Sequence, residues 1–197
     1  MTSLERAVAT LARFLEERRI PYMLIGGIAN LVWGEPRATL DVDAAVLVEE
    51  AGWPEFIKEL GPAFHVIPKN PLAFFRDTHV LPIETQDGVR IDLIWAKLPY
   101  EQKAIARATT EDVLGARVRV CRPEDLIILK IVSERPRDRE DVRAIIRHQA
   151  GHLDRRYLTQ TIQQLAKALS QPELLKFLQA CLRPSRRSHR STPSSLQ

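Results

Sequence analysis

The stretch GGIANLVWGEPRATLDVDAAV, residues 26–46, constrains the fold more than any other part of this chain. Gly26 and Gly27 follow the short apolar run YMLI, and Asp41 and Asp43 stand two apart at the head of a second apolar run. Residues i and i+2 of a strand face the same side, so both carboxylates point one way. Two like charges about 4 Å apart repel by roughly 4 kcal/mol at an effective dielectric near 20. A fold tolerates that when a cation sits between them, and hard divalent ions such as Mg²⁺ prefer oxygen ligands. An isolated D-x-D is more often a solvated strand end or a turn cap. The glycines give the pair its interest. A strand turning through Gly26-Gly27 into a helix would present bare backbone N–H groups at a helix N-terminus, where anions bind. Sterics of a tight turn would also explain glycine there.

A third acid stands in a comparable place. Asp92 lies in the middle of VRIDLIWA, 89–96, and an unpartnered carboxylate in an otherwise apolar strand is costly. If that strand lies beside residues 41–48, Asp92 completes a three-carboxylate cluster. On an edge strand it would face water instead.

The remaining pattern supplies a frame for these residues. Thr2-Ser3-Leu4-Glu5 reads as a capping box, and Leu4, Val8, Leu11 and Leu15 recur at helical spacing. Strands are expected at 22–26 and 41–48, and helices at 27–33, 51–60 and 99–107. HVLPIET and VRIDLIWA flank Gln86-Asp87-Gly88, a hairpin signal, and two short strands surround Gly115. After Pro123 the segments PEDLIILKIVSE, DREDVRAIIRHQ, DRRYLTQTIQQLAKAL and PELLKFLQACL are all helical. The expected organisation is an α/β core over 1–121, a helical region over 122–182 and a disordered basic tail over 183–197.

Charge separates the tail from the rest. Of 29 basic residues, four arginines fall in 183–197, which holds no acid, and the other 25 balance the 25 acids. The +4 net charge therefore belongs to a Ser/Pro/Arg tail without an apolar face. No apolar run reaches the roughly 18 residues of a membrane span, and Glu5, Arg6, Arg13, Glu16 and Glu17 break up any signal-peptide core. Cys121 and Cys181 have no metal-type spacing and read as reduced thiols. A cytoplasmic protein without membrane association is expected.

Gly26-Gly27, Asn30, Gly34, Arg37, Thr39 and Asp41-Val42-Asp43, with Asp92 as third acid, resemble the signature of the nucleotidyltransferase fold, the DNA polymerase β-like superfamily. GGIANLVWGEPRATLDVD is similar to the branch holding the nucleotidyltransferase-like toxins of bacterial abortive-infection systems and related uncharacterised proteins. LIILKIVSERPRDREDVRAI is similar to that branch's C-terminal segment. Many members carry Gly-Ser where this chain has Gly-Gly, which removes a hydroxyl from the phosphate site and leaves its backbone donors. The resemblance implies a mixed sheet flanked by helices with a helical C-terminal extension. It further implies an enzyme that moves a nucleoside monophosphate from a nucleoside triphosphate to an acceptor hydroxyl and releases pyrophosphate. Asp41, Asp43 and Asp92 would hold Mg²⁺ or Mn²⁺, with Asp92 alternatively deprotonating the acceptor. Gly26, Gly27, Arg37, Thr39, Lys130 and Asp141 would meet the nucleotide. Asp138 would cap the helix after Pro136, and Lys130 and Arg37 have solvated readings of nearly equal weight.

Two readings of other kinds stand beside this one. One is a toxin acting on RNA, such as the 3′ end of tRNA, and restrained by an antitoxin protein. The other is a non-catalytic member that binds nucleotide or a partner. Two further patterns carry less. Arg143 and His148 match the Arg-x4-His spacing of HEPN-type ribonucleases, but a cationic helix end before Gly151 explains them. His148 and His152 have that same glycine between them and no third ligand.

Overall fold

Asp41–Val46 forms the middle strand, β2, of a seven-stranded mixed sheet in the computed structural model, which describes residues 1–133 and 135–183. In chain order the other strands are β1 (Tyr22–Leu24), β3 (His65–Val66), β4 (Val80–Glu84), β5 (Arg90–Trp95), β6 (Thr109–Val113) and β7 (Ala116–Val120). They lie in the order β3-β4-β5-β2-β1-β7-β6. β2 runs antiparallel to β1 and parallel to β5, and β4 and β5 form the hairpin read from Asp87-Gly88. Gly88 and Gly115 close the two hairpins at φ +77° and +76°, a backbone region that glycine enters without steric cost.

Helices fill the sequence between strands. α1 (Ser3–Glu17) begins with the expected capping box, Thr2 and Glu5 each accepting from the other's backbone N–H. α2 (Gly26–Trp33) leaves β1 at once, and α3 (Trp53–Leu60) follows a short 3₁₀ turn. α4 (Pro71–Thr78) and β3 occupy a segment where the sequence shows no clear period; of α4 only Phe75 is buried. α5 is Pro99–Arg107. After β7 come α6 (Pro123–Ser133), α7 (Pro136–His148), α8 (Arg155–Ala168) and α9 (Glu173–Leu182). Beyond Arg183 the tail expected to be disordered lies outside the described residues. No described helix is long and apolar enough to cross a membrane.

The sheet has one fully buried face and one that stays partly open. Val42, Ala44, Ile91 and Leu93 are completely buried, whereas Asp41 and Arg90 are exposed and Asp43, Asp92 and Ile94 are half-buried. The period-2 alternation of these strands therefore places all three acids on the open side. α1 and α5 pack against the central strands, while α2 packs on β2 and reaches α6 and α7. α6 is apolar nearly all round and correspondingly buried, with even Glu124, Asp125 and Lys130 removed from water; such a helix must satisfy its polar groups internally.

Asp125 shows how that is done. Its carboxylate, wholly buried, accepts from the Tyr157 hydroxyl at 2.6 Å and from Arg107 Nε at 3.1 Å, and Arg107 also lies 3.9 Å over the Tyr157 ring. Glu124 meanwhile accepts from the Asp154 N–H at the start of α8, at 2.9 Å. Burial pushes the Asp125 carboxyl above its usual range, and the Tyr157 and Arg107 hydrogen bonds pull against that. The network ties α5 and α8 to α6. Tyr157→Phe, which leaves an acceptor of this buried charge unsatisfied, is expected to lower unfolding free energy by about 1.5–3 kcal/mol, as read from urea denaturation.

Candidate active site

The site is assembled where β1 ends. Ile25 N–H donates to the Asp43 carbonyl at 2.9 Å, which carries the pairing of β1 and β2 one residue past the strand and sets the next residue, Gly26, against Asp43. Gly26 sits at φ +56°, and a Cβ built on it would lie 1.9 Å from Asp43 Oδ2. The carboxylate occupies the room a side chain would need. Gly27 answers a second approach, since its Cβ would fall 2.3 Å from Thr39 Oγ1. Thr39 in turn donates to Asp41, at 3.1 Å to the carboxylate and 3.2 Å to the carbonyl. The glycine pair thus lets the acid strand and the loop before it close over the helix start. No side chain caps α2.

Parallel pairing of β2 with β5 brings in the third acid. Asp43 lies directly opposite Asp92, and Asp41 opposite Arg90. The Asp43 carboxyl is raised to about 6, first by burial and then by repulsion from Asp41 and Asp92, with Arg135 and Lys130 pulling the other way. Asp92 is turned onto its own strand neighbour: Arg90 donates to both of its oxygens, at 2.9 and 3.3 Å. Among the described residues no three ligand side chains close into a ready metal cage.

A cleft of about 260 Å³ opens above these strands, lined by Gly26, Asp43 and Asp92 on the sheet side and by Lys130, Arg135 and Asp138 from α6 and α7. The cations there differ in availability. Lys130 is buried and donates to Asp138 at 3.0 Å and Asp141 at 2.6 Å. Arg37 donates to the same Asp141 at 3.2 Å. Asp138 also accepts from the Ser133 hydroxyl; burial opposes its charge, but the Ser133 and Lys130 hydrogen bonds outweigh that and hold the carboxyl below its usual range. This clamp fastens α7 to α6 and both to the loop leading into Asp41. Of the residues expected at the nucleotide, Arg37 and Asp141 are engaged in this clamp and Thr39 is bonded to Asp41, and none of the three is among the residues lining the cleft.

Arg135 is the residue that the pattern reading overlooked. It opens α7 beside Asp43, lines the cleft and, among the described residues, has no ion-pair partner. Its position between Ser133 and Pro136, at a helix junction rather than inside an amphipathic repeat, was the available signal. His148 and His152 do not line the cleft.

The mixed sheet, with a glycine turn set against Asp43 and with Asp92 beside it at a helical cleft, has the nucleotidyltransferase fold. Solved structures agree on the fold. An antigenic nucleotidyltransferase-like protein from Paracoccidioides brasiliensis is 21% identical with a TM-score of 0.54, over 90% of this chain and 92% of that one. The solution structure of the antibiotic-resistance factor ANT(2″)-Ia gives 17%, 0.57, 87% and 97%, and its crystal complex with adenylyl-2″-tobramycin gives 18%, 0.52, 91% and 97%. The chain belongs to the family described as "Nucleotidyl transferase of unknown function (DUF2204)", whose model matches residues 72–179. That span holds Asp92 and the α6–α7 clamp, and it begins after Asp43. None of the curated proteins matches the chain.

Two expected outcomes follow from the close approach. Gly26→Ala should cost at least about 2 kcal/mol of stability, because it adds backbone strain at positive φ to the collision, and a second change, Asp43→Ala, should recover part of that loss. Asp43→Asn alone should stabilise the metal-free protein. The folded carboxyl holds its proton to about pH 6, whereas an unfolded one releases it near pH 4. Ionisation therefore costs stability as pH rises through that window. The gain from Asn should reach about 2 kcal/mol at pH 8 in chelator and vanish below pH 4, measured by thermal melts.

Proposed function

We propose that this protein is a divalent-metal-dependent nucleotidyltransferase that moves a nucleoside monophosphate from a nucleoside triphosphate to an acceptor hydroxyl and releases pyrophosphate. The observation that carries this reading is the register: Asp43 opposite Asp92 on adjacent parallel strands, both lining a cleft that also presents Arg135, with Asp41 on the same face of β2 at its exposed end. The family membership and the fold support it. One structural neighbour, ANT(2″)-Ia, was crystallised in complex with adenylyl-2″-tobramycin.

The donor set fits Mg²⁺ or Mn²⁺. Three carboxylates offer hard oxygen ligands, and the half-buried Asp43 is held in a repulsive field that a cation would relieve. Asp41 and Asp43 would hold the ion, which leaves Asp92 free to act as a base once it is released from Arg90. A metal bound there would neutralise phosphate charge and steady the entering and leaving oxygens.

The chain's own residues do the rest. Gly26 keeps the Asp43 carboxylate against the backbone and leaves the mouth of α2 free of side chains. Arg135 supplies the positive charge for the triphosphate, which the clamped Lys130 and Arg37 are less free to give. Asp92 takes the acceptor proton as the acceptor oxygen attacks the α-phosphorus. The loop before Asp41 is positioned by the Arg37–Asp141–Lys130 clamp. We place the activity in the cytoplasm, where nucleoside triphosphates are abundant. The Arg90–Asp92 pair favours a second reading, a nucleotide-binding member without turnover, because it occupies both oxygens of the third acid.

Pyrophosphate release separates the two. Wild-type protein with Mg²⁺ and a nucleoside triphosphate should release it when offered an acceptor, and Asp43→Asn and Asp92→Asn should each abolish release while binding of the triphosphate persists. Arg135→Ala should weaken nucleotide binding about tenfold at unchanged melting temperature. Lys130→Ala should instead lower stability by about 3 kcal/mol, since it strands buried acids. Binding without release in the wild-type protein, whatever the acceptor, would establish the second reading.

A further inference from the structure

The acid-bearing face of the sheet continues beyond the cleft. Val80 lies opposite Ile94 and Pro82 opposite Asp92, so alternation puts Val80, Pro82, Arg90, Asp92 and Ile94 on one side. Val80, Asp92 and Ile94 line the cleft. Pro82 and Arg90 line a second pocket of about 490 Å³, walled on its far side by residues 67–70 and α4. Its surface is largely apolar, with Ile67 and Phe74 respectively 42% and 41% exposed. α4 holds Phe74 outward because the adjacent Phe75 is buried between Trp53, at a ring distance of 3.8 Å, and Trp95, at 5.5 Å. The charged groups on the pocket are Lys69 and Arg90, and no carboxylate lines it. Arg90 is the shared wall, since the guanidinium that borders this pocket also binds both oxygens of Asp92.

We propose that this pocket is the acceptor site and takes a small alcohol or phenol carrying an apolar ring and an anionic group. The inference rests on the nucleotidyltransferase reading above. The ring lies against Phe74, Ile67 and Pro82, where flat apolar surface is offered. The anion is held between Lys69 and Arg90. From Pro82 the neighbouring side chain across the strands is Asp92, so the hydroxyl reaches the acid that receives its proton. The acceptor oxygen then bonds to the α-phosphorus while the bond to the oxygen bridging toward the β-phosphate breaks. That oxygen leaves with the electron pair in pyrophosphate, and the hydroxyl proton passes to Asp92. An anion that draws Arg90 away from Asp92 frees the acid when the acceptor is present. A polyamine acceptor would meet Lys69 and Arg90 with no carboxylate in the pocket lining, Glu84, opposite Arg90 on the neighbouring strand, lying outside it.

The test uses the full chain and two probes that share a ring and a hydroxyl, 3-(4-hydroxyphenyl)propanoate and tyramine, followed by amide NMR titration without nucleotide. The propanoate should bind saturably and shift the amides of residues 67–75 and of Arg90, and tyramine should bind at least about tenfold more weakly. Phe74→Ala, at an exposed position that keeps the fold, should weaken the propanoate about tenfold, and Lys69→Glu should reverse the preference between the probes. Absence of saturable propanoate binding, equal or tighter tyramine binding, or insensitivity to Phe74→Ala would overturn the assignment. A single-stranded oligoribonucleotide that binds the same residues in preference to the propanoate would overturn the small-molecule class. Binding of ATP with Mg²⁺ is measured separately on wild type: its loss refutes the nucleotidyltransferase reading, while its presence without propanoate binding refutes the acceptor pocket alone.

Discussion

The approach of the Asp43 carboxylate to the backbone of Gly26 is the constraint on which the rest of the site depends. It requires a residue without a Cβ, at φ +56°, and it requires β1 and β2 to stay paired through Ile25. Once that contact exists, the remaining geometry has little freedom. α2 must start immediately after the strand, the loop from Gly34 to Leu40 must return over Gly27, and the acids of β2 must face the side on which α2 and α6 meet. A bulkier residue at 26 would push apart the two elements that bring the acids to the cleft.

The second organising force is the uneven distribution of positive charge around the five carboxylates Asp41, Asp43, Asp92, Asp138 and Asp141. Lys130 and Arg37 are committed to Asp141, with Asp138 sharing Lys130. Arg90 is committed to Asp92. Asp41 and Asp43 have no ion pair among the described residues, and Asp43 carries the cost as a raised carboxyl pKa. A buried pair strongly resists loss of one partner, so the Lys130–Asp141 contact gives a rigid support. The Arg90–Asp92 pair is half in water, where ion pairs are worth about 1 kcal/mol or less, and it can exchange partners. The site thus combines a fixed clamp behind the cleft with an exchangeable pair at its edge.

Much of the fold was legible because local signals were strong. Thr2 and Glu5 marked the first helix, Asp87-Gly88 the hairpin of β4 and β5, and the want of strand signals after Pro123 the four terminal helices. β3 and α4 were not legible, since an edge strand of two residues and a helix with one buried side chain leave almost no period to read. The acids were identifiable from their apolar surroundings. The partners of Lys130 and Arg37 were not, because an ion pair joining residues 37, 130 and 141 is a tertiary contact, and a lysine in an apolar helix looks the same whether it meets a phosphate or a carboxylate.

By itself, then, the sequence determined which residues can bear charge on one strand face and where the backbone must lack a side chain, because strand alternation and the steric limits of φ are local properties of the chain. Only the tertiary structure decided which use each residue has. The parallel register of β2 and β5 set Asp43 beside Asp92; the packing of α7 on α6 took up Lys130 and left Arg135 at the cleft; and the fold of α4 against the Trp53–Trp95 cluster placed an apolar, cationic pocket next to the third acid. Those outcomes depend on distances between segments far apart in the chain, and electrostatic energy is fixed by such distances and by burial, neither of which exists before the sheet closes.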